Sequence, residues 1–152
     1  MCRMIWKPHA TVAALLEQDG RYLLVEERIK GELRLNQPAG HLEEGESLIE
    51  AAVRETIEEA GLIFTPTHLV GIYQWRAPET GATYLRAAFT GTIERIIDNA
   101  VLDEGIIGPV WLTPDEVHAR LHQHRSPLVM DCIEDHRAGR RYPLDLIRHY
   151  AA

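Results

Sequence analysis

Apolar and polar positions alternate with a period of two over residues 9–17, the pattern of a strand with one buried face. Asp19-Gly20 is hairpin-turn chemistry, and residues 22–27 read as the returning strand. Residues 33–38 predict a further short strand feeding Ala39, and Gly40 is expected to let the chain turn tightly into the next loop. The period then becomes helical. Ser47 with Glu50 forms a capping box, so a helix starts at Leu48, and Gly61 stands where a left-handed residue should end it. Glu55, Glu58 and Glu59 fall at i, i+3 and i+4 and share one face. Ile49, Val53, Ile57 and Ala60 fall on the opposite face, which is expected to be the buried one. Ala51 and Ala52 flank the carboxylates and are expected to leave room for a bulky anion.

Further on, residues 68–75 and 83–97 predict two strands joined by a turn containing Pro78 and Gly81. Residues 98–108 read as a polar loop carrying Asp103-Glu104, and 110–112 as a short strand. Thr113-Pro114-Asp115-Glu116 is a second capping box and opens a helix to about residue 121. Ser126-Pro127 opens another that ends near Gly139, and residues 140–150 read as a packed tail. With no repeat and no linker, the chain is expected to be α+β, one domain over residues 1–152 with a single mixed sheet flanked by helices.

Composition narrows the partners. The 152 residues are enough for one well-packed core, and 45% hydrophobic with 26% charged content is ordinary for a globular domain. A net charge of −7 argues against a nucleic-acid polymer as partner, because such binding is led by phosphate neutralisation. Cys2 and Cys132 are too few for a disulfide framework and lack metal-ligand spacing. His122 and His124, two apart, read as exposed loop residues. No signal-peptide pattern and no membrane-length apolar run is visible, so the expected compartment is the cytoplasm, with no membrane partner.

Three carboxylates on one helix face repel one another by roughly 0.2–0.5 kcal/mol per pair, and a hard divalent cation removes that cost. Arg54 reaches Glu58 at i+4 and can fix its rotamer. The wider pattern is more specific: Gly40, five residues, Glu46, seven residues, then Arg54-Glu55-Thr56-Ile57-Glu58-Glu59-Ala60-Gly61-Leu62. This resembles the Nudix box, with Thr56 standing where an aliphatic residue is usual. Chance agreement at its seven fixed residues is expected in roughly one window in 10⁸.

The resemblance implies an α/β/α sandwich and an enzyme that hydrolyses diphosphates linked to another moiety. It implies Mg²⁺ (or Mn²⁺) held by Glu55, Glu58 and Glu59, with Glu46 and Arg54 orienting those ligands. The general base is implied to be Glu104, from the loop after the central strands, or Glu55 in the box. Outside the box, the runs WKPHATVA, LNQPAGHLE, YQWRAP, RSPLV and RYPL resemble a subgroup acting on thiamine-type pyrimidine pyrophosphates and nucleoside di- and triphosphates. Tyr73 and Trp75 share a strand face and are candidates for stacking a pyrimidine. Gln37 and His41 are candidates for hydrogen bonds to a base or phosphate, and Arg125, ahead of a helix start, for a terminal phosphate.

Two alternatives stand beside this reading. Pro78, about fifteen residues beyond the box, resembles a mark of the ADP-ribose pyrophosphatases. A non-catalytic, nucleotide-sensing regulator is the rival from another class, but such domains lose box carboxylates and here every one is present. The partner is expected to be a small diphosphate, and the chain a monomer or homodimer.

Overall fold

A computed structural model describes residues 3–151; the expectation for Cys2 lies outside them. The alternating segments form β1 (His9–Ala14), β2 (Glu17–Gln18), β3 (Arg21–Ile29), β4 (Glu32–Asn36) and β5 (Ala39–His41). Helix α1 (Leu48–Ala60) follows, then β6 (Leu62–Arg76), β7 (Thr83–Ile96), β8 (Ile106–Leu112), α2 (Pro114–Ala119), α3 (Leu128–Arg137) and β9 (Tyr142–Pro143). Asp19 and Gly20 both take positive φ, the condition for a two-residue turn between twisted strands.

The strands make two sheets where the sequence suggested one. A mixed five-stranded sheet runs β5-β1-β7-β6-β9, with β1 and β7 parallel and its other pairs antiparallel. In the second, antiparallel sheet β3 lies between β4 and β8 and also pairs with β2. The reason is β3, whose run Tyr22–Val25 is buried on both faces and so pairs on both edges.

Alternate residues of the mixed sheet feed two cores. Val12, Ala14, Ala87 and Phe89 face α1, while Ala13, Val70 and Ala88 pack towards Leu128, Val129, Cys132 and Ile133 on α3. This is the helix–sheet–helix layering expected of the sequence. Behind the second core, Tyr22 Oη lies 2.6 Å from His136 Nδ1, and Arg141 lies 2.8 Å from His136 Nε2. Burial and the nearby Arg141 hold the His136 pKa down at about 4, so this imidazole is neutral at pH 7.

Helix α1 begins and ends as its sequence dictates: both bonds of the Ser47–Glu50 capping box form, and Gly61 is left-handed. Its orientation is rotated from the expected one, with Ala60 buried as expected and Ile49 and Val53 packed only against the margin of the core. The buried residues are Ala51, Ala52, Glu55, Thr56 and Ala60, whereas Ile49, Val53 and Ile57 are only half-buried and border an outer groove. Small side chains let the helix settle closely between the two sheets, so Ala51 and Ala52 are core and not a berth for a ligand. Thr56 is fully buried, and its hydroxyl donates to the Ala52 carbonyl at 2.8 Å, which satisfies it inside the helix.

Candidate active site

Turning α1 this way presses its acidic face against β5. Gly40 sits in the extended strand with no positive φ, so the tight turn expected there is absent. Its missing side chain serves a close approach instead: a β-carbon at Gly40 would overlap the Glu55 carboxyl carbon and both its oxygens. Burial raises the Glu55 pKa, against the pull of Arg54, which donates to Glu55 Oε1 at 2.9 Å. The same guanidinium takes Glu46 in a two-bond grip of 3.0 and 2.7 Å, donates to Glu58 at 3.0 Å, and reaches the His41 carbonyl at 3.0 Å. The bond from Arg54 holds Glu46 below the usual carboxylate range. Arg54 and Glu46 thus lock two helix carboxylates and the end of β5 into one frame.

The third member of the acidic group differs from the expected one. Oxygens of Glu55, Glu58 and Asp103 lie within 4.8 Å of one another. Glu59 stands outside this group because its Oε1 accepts from the Ala39 amide at 2.8 Å, which draws it down beside β5. There burial lifts its pKa to about 8. Asp103 enters because its amide donates to the Glu58 carbonyl at 2.9 Å, tying the loop over the helix. Glu104, one residue on, occupies the turn, is exposed, and lies outside the group. The loop carboxylate that meets the helix pair is thus Asp103, next to the Glu104 expected as the base. An all-oxygen set of three carboxylates, with no Cys or His among its members, fits a hard divalent cation.

A cavity of about 830 Å³ runs from the β5 edge across the mixed sheet, and both Glu55 and Glu59 line it. Cross-strand partners point to the same side of a sheet. One row is therefore His41, Thr11, Arg86 and Tyr73, and the next is His9, Tyr84 and Trp75. Trp75 and Tyr84 stack at 5.8 Å between ring centroids, and His9 stacks on Tyr84 at 5.0 Å. Trp75, Tyr84 and His41 line the cavity, and burial together with His9 lowers the His41 pKa.

Other candidates are held elsewhere. Tyr73 shares a face with Trp75 but lies against α3, where its hydroxyl donates to Asp135 at 2.7 Å; it does not line the cavity. Gln37, 1% exposed, is spent on the Val129 carbonyl and on Arg86. Arg125 reaches the cavity but is paired with Glu27 at 2.6 Å, which leaves less of its charge for a phosphate. His124 is half-buried against the Val117 carbonyl and also lines the cavity, contrary to the exposed loop position expected of it. Of the residues gathered here, Asp103 stood in the sequence only as the neighbour of Glu104, and Tyr84 and Arg86 were not singled out. For Arg86 there was a signal: a lone charge inside the apolar strand run YLRAAF.

The layering, the carboxylate helix and the cavity beside it define a phosphohydrolase of a known type. A family model described as the NUDIX domain matches residues 6–132, and the chain belongs to that family. Phosphatase NudJ of Escherichia coli K12 is 41% identical over 143 residues, 94% of this chain and 92% of that protein. A NUDIX hydrolase structure from Nitrosomonas europaea superposes with a TM-score of 0.92 at 52% identity, covering 95% of this chain and 98% of that one. A MutT NUDIX hydrolase from Burkholderia pseudomallei, 19% identical with a TM-score of 0.71 over 86% of this chain and 98% of its own, shares the fold. Among the described residues, no helix is long and apolar enough to cross a membrane.

Proposed function

We propose that this chain, read as one domain over residues 1–152, hydrolyses small diphosphate compounds with the help of Mg²⁺. The observation that carries this is the cluster of Glu55, Glu58 and Asp103, which meets, through Glu55, a cavity walled by Trp75 and Tyr84. Likeness to NudJ phosphatases over nearly the full length supports the reaction class. Glu55, Glu58 and Asp103 hold the cation, and Glu59, drawn down beside β5, lines the cavity with Glu55. When bound, the cation neutralises charge on the diphosphate and favours attack at phosphorus. Arg54 keeps Glu55 and Glu58 aimed and is itself oriented by Glu46. The attacking water gives its proton to a carboxylate of this group, Asp103 from the loop or Glu55 from the helix. His41, unprotonated near neutral pH, offers a hydrogen bond without adding charge, and Trp75 with Tyr84 gives a flat ring a surface to lie on.

The preferred substrates are pyrimidine pyrophosphates of the thiamine type and nucleoside di- and triphosphates. The cavity is short of free cations: Glu27, Glu43, Glu55, Glu59 and Glu79 all line it, so a long polyanion is disfavoured. ADP-ribose is the second reading, favoured by Pro78, which also lines the cavity. Comparing kcat/KM for a pyrimidine pyrophosphate, nucleoside diphosphates, ADP-ribose and capped RNA tests this. The first two groups are expected to lead by about tenfold or more, a difference of about 1.4 kcal/mol in transition-state stabilisation. A lead of that size for ADP-ribose would replace the assignment.

A further inference from the structure

Arg86 is 6% exposed, lies in the middle of the mixed sheet, and lines the cavity. Among the described residues no carboxylate pairs with it; its partners are Gln37 Oε1 at 2.9 Å, Asn36 Oδ1 at 3.0 Å and Cys132 Sγ at 3.9 Å. A structural tie of this kind would cost less with a neutral side chain, since a buried charge held by neutral groups keeps much of its desolvation penalty. The charge therefore points to something the cavity receives.

The donor count says what. A guanidinium has five N–H groups, and Nη1 spends its two on Gln37 and Cys132. Nη2 spends one on Asn36. With the Nη2–H that faces Nη1 given to Asn36, the other Nη2–H and the Nε–H lie side by side in one plane and form a fork for two adjacent acceptors. Nε has no partner in the protein, yet among the described residues only His124 Nδ1 is a sealed side-chain polar atom without one, so Nε opens onto the cavity. Tyr84, two residues along the same strand, and Trp75 across from it lie on the same sheet face, so a ring on that surface turns an edge towards the fork. Arg86 is also two strands from β5, roughly 10 Å from the carboxylate edge at the usual strand spacing. The moiety attached to the diphosphate spans that distance; the diphosphate itself stays at the carboxylates.

We propose that, among the nucleoside phosphates of the reading above, Arg86 is a specificity-determining residue that selects a ring presenting two adjacent acceptors, such as the 2-carbonyl and N3 of cytosine, over one presenting a donor there, such as the N3–H of uracil. This rests on the diphosphate reading above but is tested by binding and not by turnover, so the two can fail separately. Equilibrium Kd values for CMP and UMP, measured calorimetrically with Mg²⁺ present, should differ roughly tenfold to hundredfold in favour of CMP, the range for one bidentate guanidinium contact. In Arg86→Gln the two should come within about threefold of each other, with the UMP value close to wild type. Should that variant fail to fold, 3-deazacytidine monophosphate replaces N3 by C–H in the ligand, and wild-type protein should bind it about tenfold more weakly than CMP. Equal wild-type affinity for CMP and UMP overturns the proposal. So does a preference that survives Arg86→Gln, or an equal loss for both nucleotides, which would assign Arg86 to the phosphate.

Discussion

Glu58→Gln and Asp103→Asn are each expected to lower kcat by roughly 10²–10⁴-fold, whereas Glu104→Gln should stay within about threefold of wild type. Glu58 and Asp103 belong to one oxygen cluster with Glu55, and removing a charge from either weakens the cation's seat. Glu104 is the next residue along and has no part in that cluster. Steady-state kinetics on the three variants, with melting curves to show that each is folded, checks the pattern. Severe loss in Glu104→Gln with an intact Asp103→Asn would return the catalytic loop carboxylate to Glu104.

Gly40→Ala should be nearly as damaging, although it removes no functional group. The added methyl would occupy the position of the Glu55 carboxyl, and that side chain has little freedom to yield. It is 8% exposed and tied to Arg54, which is itself committed to Glu46 and Glu58. Overpacking of this kind costs about 1–3 kcal/mol in stability. Displacing a catalytic carboxylate by about 1 Å costs on the order of 10²-fold in rate. A folded Gly40→Ala protein with wild-type kcat would show that the Glu55 position seen here is not the working one.

These two cases mark what the sequence could and could not disclose. The ends of α1 were legible because capping is local: Ser47 and Glu50 are three residues apart, and Gly61 is next to the last helical residue. The carboxylates were legible as a face, but which face turns inward was not, since the apolar side looked like the better core. The rotation comes from Ala51, Ala52 and Thr56, which admit the sheets closely, and from Arg54, which offsets the burial of Glu55. The choice of Asp103 over Glu104 depends on one backbone bond to Glu58, 45 positions away in the chain. The fork of Arg86 depends on Asn36, Gln37 and Cys132, which the sheet and α3 bring together from distant parts of the chain. Tyr73 and Trp75 share a face as their spacing says, but only packing against α3 decides that Tyr73 is covered and Trp75 is open.

The central claim is that Glu55, Glu58 and Asp103 form a seat for a divalent cation that hydrolysis requires. The most direct test is phosphate release from a nucleoside diphosphate by metal-stripped wild-type protein, titrated with Mg²⁺ at several pH values. Turnover should be absent in excess EDTA and return in saturable fashion as Mg²⁺ is added. Because burial raises the Glu55 pKa, the cation competes with a proton at that carboxylate as pH falls. The half-saturating Mg²⁺ concentration should therefore rise as pH falls through the range in which Glu55 takes up its proton. Undiminished turnover in excess EDTA would contradict the account.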